Sequence, residues 1–426
     1  MLTKRGYRPR IIDAQVEENM RAFGAIMLEG PKWCGKTWTM LNHAESVFYV
    51  GDPASNFNNR HLAQQDPALI LEGKEPRAID EWQEVPGIWD AVRHEADNSN
   101  KTGRFLLTGS SVPPREATIH SGIGRIVRMR MRPMTLQESR DSTGDISLRA
   151  LLEGKSPRCT TGIDLKKLVR LVGRGGWPAG LGLPDKSALQ IPQSYFQTLA
   201  ETDAVELDGV RRDTSKMGRV LRSLARNNQT QVTYRTINRD IAEFDGEEFT
   251  VSEITIATYI RILERLFVIE KLDAWSHGFR SSSRIRVGAK LRFVDPSLAL
   301  AALRMTPDAL MSDLNTLGFM FESLCARDLS VYTEALGHNL YHYRDKNGLE
   351  ADFIIEMMDG NWAPVEVKLG ANGVDEAVKS LMKVREKMMA GGAKEPVCMI
   401  VLCGLSNFGY TTPEGVCVVP ITCLGV

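Results

Sequence analysis

The sequence predicts an α/β protein with an N-terminal parallel sheet flanked by helices, a mainly helical middle and a second α/β domain at the C-terminal end. Three observations predict this fold class. Strand and helix signals alternate from about residue 10 to residue 135, which is typical of a parallel sheet with helical crossovers. A glycine-rich turn with a lysine follows the first apolar strand signal. Beyond residue 340, short apolar runs carry acidic side chains.

The glycine-rich turn, residues 30–37, reads Gly-Pro-Lys-Trp-Cys-Gly-Lys-Thr and matches GxxxxGK[ST] at every fixed position. Residues 25–28 before it predict a buried strand, and residues 38–41 can open a helix. Glycines let backbone N–H groups curl around an anion at a helix N-terminus. We therefore predict a phosphate-binding loop in which Lys36 reaches the β- and γ-phosphates and Thr37 ligates Mg²⁺.

Two downstream strands supply further candidates for this site. Residues 77–81 run from small and apolar side chains into Asp80 and Glu81, as at the end of a buried strand. We predict that Asp80 holds Mg²⁺ through water and that Glu81 polarises the attacking water, although such a pair can also be a solvated turn. Thr108 and Ser110, at the end of an apolar run, are candidate γ-phosphate sensors. The predicted nucleotide-binding residues are Gly30, Pro31, Lys32, Trp33, Cys34, Gly35, Lys36, Thr37, Trp38, Asp80, Thr108 and Ser110.

A basic run follows two glycines, with arginines at positions 125, 128, 130 and 132. One guanidinium could stabilise transition-state charge, either within the subunit or across a subunit boundary. We choose Arg125 for this role, which makes Lys36, Glu81 and Arg125 the predicted catalytic residues of the site. For the other three arginines we expect an ordinary solvated strand face.

Composition excludes several classes of protein. The 426 residues are 43% hydrophobic and 25% charged, which predicts a globular chain of several domains and excludes a disordered or fibrous one. Lysine plus arginine and aspartate plus glutamate both number 53, so any nucleic-acid surface must be a local patch. Seven cysteines without a CxxC pair suit reduced thiols. No N-terminal hydrophobic stretch predicts a signal or a membrane span, so we expect a cytoplasmic protein.

We divide the chain into a nucleotide-binding domain (residues 1–138), a helical connector (139–213), a winged-helix-like domain (214–300) and a C-terminal α/β domain (301–426). The connector is polar and glycine-rich, and its most irregular part is residues 173–180.

Three helical patterns, residues 217–226, 234–244 and 252–271, followed by a hairpin predict the winged helix. In its third helix we expect Thr255, Thr258, Arg261 and Arg265 to face outward. The hairpin carries the basic residues Arg280, Arg284, Arg286, Lys290 and Arg292, which would form a basic wing. A winged helix can contact DNA or serve as a protein-protein module, and the sequence leaves both open.

The C-terminal region holds a second constellation of acidic and basic residues. Asp352 begins one apolar strand, and Glu366 and Lys368 lie two residues apart on the next, so both point to one face. That face can gather Glu322 (from a helix), Asp352 and Glu366 around a divalent metal, while Lys368 orients water near a scissile phosphate. An E-x-K strand with an exposed face is also common. The predicted catalytic residues here are Glu366 and Lys368, and the predicted metal ligands of the chain are Thr37, Asp80, Glu322, Asp352 and Glu366.

The chain resembles prokaryotic AAA-type ATPases, which are P-loop NTPases, whose C-terminal half carries a domain of unknown function, DUF4143, with a winged helix and a restriction-endonuclease-like end. The matching segments are residues 30–37, 80–81, 107–111, 124–125, 290–295, 321–322, 343–344, 350–353 and 366–368. The resemblance implies binding and hydrolysis of ATP, and a nuclease-like C-terminal domain. The residues described above add Mg²⁺ at the ATP site and a possible second Mg²⁺ or Mn²⁺ in the C-terminal domain. Trp33 and Cys34 depart from the family's loop, where a basic or small residue is more frequent.

Two classes of function remain open at this point. In the first, an ATPase uses its winged helix and nuclease-like domain on nucleic acid, with DNA as the partner. In the second, the protein is a nucleotide-controlled switch that binds another protein or its own copy, and the nuclease-like domain is catalytically inactive.

Overall fold

The computed structural model describes residues 2, 5–112, 122–203, 212–245, 251–277 and 288–426. These residues form two compact units. The first unit contains the described residues up to Pro133 together with Ile262–Val268, and the second contains the other described residues from Met134 onward.

The first unit is a parallel sheet with helices on both faces. Its helices are α1 (Ile12–Ala22), α2 (Lys36–His43), α3 (Ala54–Gln65) and α4 (Gly87–Asp97). Its strands are β1 (Ala25–Glu29), β2 (Ser46–Tyr49), β3 (Arg77–Asp80), β4 (Phe105–Gly109) and β5 (Ile126–Arg130). The five strands are all parallel, in the order β2-β3-β4-β1-β5, which confirms the predicted parallel sheet. The carboxyl ends of β1, β3 and β4 therefore lie at one edge, where ligands of such sheets bind.

Both faces of this sheet are buried, which explains why β1 and β4 read as continuous apolar runs. On one face Trp82 and Trp89 pack in a cluster with ring centroids 5.1 Å apart. On the other face Val16 of α1 and Met40 of α2 pack in a second apolar cluster. The sheet is thus a rigid support for the loops at its carboxyl edge.

The second unit contains the remaining helices. They are α5 (Leu148–Leu152), α6 (Leu165–Arg174), α7 (Asp185–Thr198), α8 (Thr214–Arg226), α9 (Tyr234–Asp245), α10 (Glu253–Arg265, whose last residues belong to the first unit), α11 (Pro296–Leu303), α12 (Pro307–Ser312), α13 (Leu314–Ala335) and α14 (Val374–Ala390). Helix α10 begins where the Ser252 hydroxyl accepts a hydrogen bond from the Thr255 N–H at 3.2 Å. No helix among these or the other described residues is long and apolar enough to cross a bilayer.

The strands of the second unit form one large mixed sheet and two small ones. They are β6 (Ile146–Ser147), β7 (Cys159–Thr160), β8 (Ile269–Leu272), β9 (Lys290–Phe293), β10 (Asn339–Arg344), β11 (Glu350–Glu356), β12 (Trp362–Gly370), β13 (Met399–Leu405), β14 (Phe408–Thr411), β15 (Val416–Pro420) and β16 (Leu424–Gly425). The large sheet has seven strands in the order β10-β11-β12-β13-β15-β14-β7. Strand β6 pairs with β16. The segment predicted as a helical connector therefore contributes β6 and β7 to the C-terminal half. These strands were not predicted, because two-residue strands leave no periodic signal in the sequence.

Helices α8, α9 and α10 are followed by the antiparallel pair β8 and β9, in the predicted order. Thr230, between α8 and α9, forms an isolated antiparallel bridge with Leu291 of β9 and so adds a third short segment to this pair.

The predicted basic wing is only partly described, and its described part differs from the prediction. Three of its residues lie outside the described residues: Arg280, Arg284 and Arg286. Lys290 and Arg292 do not face solvent, since they form ion pairs with Glu322 at 2.9 Å and with Glu270 at 2.5 Å. Strand β9 is buried on both faces, and the alternation of charged and apolar residues along so short a strand cannot reveal this burial. The prediction that Lys290 and Arg292 are exposed was therefore wrong.

Arg265 also differs from its prediction as an outward-facing residue. It is partly buried, and its Nε donates a hydrogen bond to the carbonyl oxygen of Val112 at 3.0 Å. The Val112 N–H donates in turn to the Arg265 carbonyl oxygen at 3.0 Å. Arg261, four residues earlier, is exposed as predicted.

The glycine-rich segment 173–180 is buried structure within the second unit. A Cβ on Gly176 would lie 2.1 Å from the Met134 carbonyl oxygen, so only glycine fits there. The Gly176 N–H donates to the Asp295 carboxylate at 2.9 Å, and the Trp177 indole N–H donates to the Ser297 hydroxyl at 2.9 Å. The segment therefore serves packing.

Beside it lies a fully buried ionic cluster. The Arg327 guanidinium contacts the Asp295 carboxylate at 2.8 Å and the Asp328 carboxylate at 2.7 Å. Asp328 also accepts a hydrogen bond from the Leu136 N–H at 2.9 Å. Burial raises the pKa of Asp328 to about 6 although the Arg327 guanidinium opposes the rise. Removing one charge of such a cluster leaves an uncompensated buried charge, which is strongly destabilising.

Candidate functional site

The predicted phosphate-binding loop lies at the carboxyl end of β1, between β1 and α2. The Gly30 N–H donates to the Gly109 carbonyl oxygen at 3.3 Å, which ties the loop to the end of β4. A Cβ on Gly30 would lie 2.1 Å from the Met131 carbonyl oxygen, so glycine is required by the close approach of two backbones. Gly35 has φ of 106° and directly precedes α2, a left-handed conformation that favours glycine.

Lys36 is the first residue of α2, and its side chain turns back into the loop. Its ammonium donates hydrogen bonds to the carbonyl oxygens of Gly30 at 3.0 Å and Pro31 at 2.8 Å. Lys36 is buried. The ammonium is therefore held inside the curve of the loop, beside the N–H groups at the start of the helix, where an anion is stabilised.

Thr37, Asp80 and Thr108 form a chain of hydrogen bonds across the ends of three elements. The Thr37 hydroxyl donates to Asp80 Oδ1 at 2.9 Å, and the Thr108 hydroxyl donates to the same oxygen at 2.5 Å. Burial raises the pKa of Asp80, and the two hydroxyl donors oppose this rise. The structure thus brings the predicted magnesium ligands Thr37 and Asp80 into contact, and their hard oxygen atoms suit Mg²⁺.

Glu81 follows Asp80 in a left-handed backbone conformation with φ of 57°, which turns its side chain towards the end of β4. Its carboxylate accepts hydrogen bonds from the Ser110 hydroxyl at 2.9 Å and from the Gln83 amide. The Glu81 N–H donates to the Thr108 hydroxyl at 3.2 Å. Thr108 therefore contacts both acidic residues, and Ser110 holds the carboxylate that we predict to polarise water.

The other predicted loop residues divide by exposure. Lys32, Trp33 and Trp38 are exposed, with Trp33 52% accessible, whereas Pro31 and Cys34 are buried. The Cys34 sulfur lies 3.7 Å from the Met131 carbonyl oxygen, which agrees with a buried, inert thiol.

Arg125 is not brought to the loop. Ile126, the residue after it, pairs with Ala25 at the amino end of β1, whereas the loop begins at Gly30 beyond the carboxyl end. Five residue steps along a strand place the two backbones about 16 Å apart. The Arg125 guanidinium instead contacts Asp97 at 2.5 Å. A role of Arg125 within its own subunit does not fit this geometry, and its role across a subunit boundary stays a prediction.

The remaining arginines of the basic run lie nearer the loop. Arg128 and Arg130 contact Glu29, the last residue of β1, at 4.0 and 3.5 Å. Both side chains are partly exposed, as expected for a solvated strand face. Arg132 is buried, so the expectation of a solvated side chain is wrong for this residue.

The C-terminal residues predicted to act together do converge. Glu322 lies on α13, Asp352 on β11, and Glu366 and Lys368 on β12. Asp352 accepts a hydrogen bond from the Val367 N–H at 2.7 Å, and the Lys368 ammonium lies 4.0 Å from Glu366.

The acidic residues of this cluster are strongly perturbed. Burial raises the pKa of Glu366 to about 9, and the Asp352 carboxylate adds to the rise while Lys368 opposes it. Burial also raises the pKa of Glu322 to about 7, with Asp352 adding and Lys290 opposing. Burial lowers the pKa of Lys290, but Glu322 and Asp352 outweigh this and raise it above its ordinary value.

The C-terminal cluster does not have the geometry of a metal site. Within the described ranges, no group of three or more His, Cys, Asp and Glu side chains is arranged to hold a metal ion. Glu322 is paired with the Lys290 ammonium, and Glu366 accepts a hydrogen bond from the Ser380 hydroxyl at 3.0 Å. The predicted second Mg²⁺ or Mn²⁺ is therefore without support in the side chains present.

Comparison with known protein families agrees with this arrangement. The family described as AAA domain matches residues 22–139. The chain carries an AAA domain. Two domains of unknown function follow it, DUF8612 at residues 165–309 and DUF4143 at residues 317–424. The resemblance to AAA-type ATP-binding proteins with a C-terminal DUF4143 domain is thus confirmed, as is the α/β fold class with a P-loop sheet.

Several known proteins are similar to the chain. The uncharacterized proteins Rv2008c of Mycobacterium tuberculosis and Mb2031c of Mycobacterium bovis are 23% identical to it over 349 residues, which are 81% of this chain and 70% of each relative. The Walker-type ATPase PABY2304 of Pyrococcus abyssi is 12% identical with a TM-score of 0.38, covering 71% of this chain and 97% of that one. RuvB R170A of Thermotoga maritima is 15% identical with a TM-score of 0.25, covering 61% and 87%.

Sequence reasoning missed three contributors to these sites. In the AAA domain, Gln83 binds the Glu81 carboxylate, and Arg10 donates to the carbonyl oxygens of Cys34 and Arg132, at 2.8 Å each. In the C-terminal cluster, Lys290 pairs with Glu322. The position of Gln83, two residues beyond Glu81, could have indicated its role. Arg10 and Lys290 contact residues far away in the sequence, which no local sequence pattern reveals.

Proposed function

We propose that the AAA domain binds ATP together with Mg²⁺ and hydrolyses it. The single observation that carries this proposal is the contact of Thr37 with Asp80 at 2.9 Å, directly beside the buried Lys36 ammonium. A hydroxyl and a carboxylate oxygen in contact form a hard-oxygen pair of the kind that Mg²⁺ takes alongside phosphate oxygens. The ammonium and the helix N-terminus supply the positive charge that phosphates require.

The residues of the chain then have distinct roles. When bound, Mg²⁺ neutralises charge on the phosphate oxygens. Lys36 exchanges its bonds to the loop carbonyl oxygens for bonds to phosphate. Thr108 fixes the Asp80 carboxylate and the Glu81 backbone relative to each other. The Glu81 carboxylate gives up the hydrogen bond from the Ser110 hydroxyl and then accepts a proton from water. The Ser110 hydroxyl can then donate to the γ-phosphate.

Two substitutions test the proposal separately. We expect Lys36→Ala to abolish ATP binding in calorimetry, because the loop loses its ammonium. We expect Glu81→Gln to retain binding but to lower turnover by about 10² to 10⁴, the usual contribution of a general base. Lys101→Ala, an exposed lysine outside the site, is the control for lost charge. Absence of heat on titrating wild-type protein with ATP and Mg²⁺, or full turnover by Glu81→Gln, would contradict the proposal.

We further propose that α8, α9, α10 and the β8–β9 pair act as a winged helix on DNA. Three helices followed by a hairpin, with the Thr230 bridge to Leu291, support this topology. The exposed Arg261 of α10 and Arg239 of α9 can contact phosphates. We expect added duplex DNA to raise the ATP turnover of the wild type, and we expect Arg261→Glu to lose the DNA-dependent part only. DNA binding that Arg261→Glu leaves intact would count against this surface.

A second candidate function is a nucleotide-controlled switch that binds a protein partner or its own copy. The burial of Lys290 and Arg292 in ion pairs favours it, since this part of the hairpin offers no free cation to phosphates. An ATP turnover that ignores DNA, together with a change in oligomer size on adding ATP, measured by light scattering, would support the switch. Stimulation by DNA without such a change would exclude it.

A further inference from the structure

A lysine of the protein itself, Lys290, lies against the acidic face of the C-terminal domain. Lys290 comes from β9, whereas the carboxylates come from α13, β11 and β12. Its ammonium lies 2.9 Å from Glu322 Oε1, and both side chains are only 13% exposed. The negative charges of Asp352 and Glu350 also stabilise the charged form of this ammonium. A charge that is buried this far is stabilised only by close opposite charge.

Every carboxylate of the cluster already has its own donor. Glu322 has the Lys290 ammonium, and Asp352 has the Val367 N–H at 2.7 Å. Glu366 has the Ser380 hydroxyl at 3.0 Å. A divalent ion needs several oxygen atoms within about 2.0 to 2.6 Å of one point. Asp352 and Glu366 interact with each other, but the described residues hold no group of three or more such side chains arranged around one point.

We propose that Lys290 is a built-in counter-cation that takes the place of a divalent metal ion on this face. Its ammonium neutralises Glu322 and keeps Mg²⁺ and Mn²⁺ from the cluster. The C-terminal domain is then a metal-free module that does not cleave nucleic acid. The inference is independent of the ATP site, and it restricts the proposed action on DNA to binding.

The test measures the binding of Mn²⁺ to full-length protein by electron paramagnetic resonance, without nucleotide. All proteins carry Asp80→Asn, so that the AAA domain does not contribute an acidic ligand. We expect the parent protein to bind no Mn²⁺ tightly. We expect Lys290→Met, of similar length but uncharged, to bind one Mn²⁺ about a hundredfold more tightly or better, because a positive charge about 4 Å away opposes a cation by at least this factor.

Three further variants show whether a gain of Mn²⁺ binding comes from the loss of the Lys290 ammonium or from a general change of charge. Lys290→Arg keeps the positive charge and should gain no Mn²⁺. Lys271→Met removes an exposed lysine of the neighbouring strand β8 and should also gain none. Adding Glu322→Gln to Lys290→Met should abolish the gained site, because a ligand is lost.

Two results would overturn the inference. One is tight Mn²⁺ binding by the parent protein that Asp352→Asn removes, a measurement that does not depend on the folding of any Lys290 variant. The other is a Lys290→Met protein with the circular dichroism of the parent that binds Mn²⁺ no better than the parent. ATP turnover of the protein without Asp80→Asn is measured separately, so that failure of the proposed ATPase function is distinguishable.

Discussion

Replacing Thr108 by valine removes one hydroxyl and leaves the volume of the side chain nearly unchanged. That hydroxyl donates to Asp80 Oδ1 at 2.5 Å and accepts from the Glu81 N–H at 3.2 Å. A hydrogen bond to a charged group contributes about 1.5 to 3 kcal/mol, which corresponds to a factor of about 10 to 150. Because the hydrogen bonds of the Thr108 hydroxyl go to Asp80 and Glu81, and those of the Lys36 ammonium go to Gly30 and Pro31, we expect kcat to fall by this factor while the Kd for ATP changes little.

The pH dependence gives an independent readout of the same substitution. The Thr108 bond lowers the pKa of Asp80 against the effect of burial, so its loss raises that pKa further. At a given acidic pH less of the carboxylate is ionised, and the acid limb of the kcat profile should move to higher pH. Thr39→Val, a buried threonine of α2 whose hydroxyl lies 3.3 Å from Tyr7, is the matched control. A weaker Kd with an unchanged kcat would refute the reasoning.

Three more outcomes are expected. Arg327→Met should lower the free energy of unfolding by about 3 to 5 kcal/mol, measured by urea denaturation, because two buried carboxylates lose their partner. Arg226→Met, whose side chain is 59% exposed, should change it by less than about 1 kcal/mol. The folded protein binds a proton at Glu366 more tightly than the unfolded chain does, so the associated stability is lost as pH rises from about 4 towards about 9. Glu366→Gln should therefore unfold at a higher temperature than the wild type at pH 8.5. If Arg125 acts across subunits, the specific ATP turnover of the wild type should rise with protein concentration, and that of Arg125→Ala should not.

The nucleotide site was predictable because its determinants are local. The spacing from Gly30 to Thr37 specifies a turn between a strand and a helix, and parallel strands bring their carboxyl ends to one edge. Asp80 and Thr108 therefore had to approach the loop. A role of Arg125 within its own subunit fails for the same geometric reason, since it precedes its strand and lies at the opposite edge.

The C-terminal cluster was predictable in part. The two-residue spacing of Glu366 and Lys368 fixed their common face, and Asp352 lies close enough to Glu366 and to Glu322 to raise the pKa of both. Lys290 was assigned to an exposed wing because a four-residue strand with alternating charges is typical of an edge facing solvent. Its pairing with Glu322, 32 residues later, depends on tertiary packing and has no signature in the sequence.

The guanidinium of Arg10 joins the Cys34 carbonyl oxygen, inside the phosphate-binding loop, to the Arg132 carbonyl oxygen just after β5. Arg10 is therefore a brace for the curvature of the nucleotide cradle, from a position outside the loop itself. Loss of Arg10 should weaken ATP affinity although the loop sequence is unchanged, so a preparation that binds nucleotide poorly calls for a check of this residue as well as of the catalytic ones.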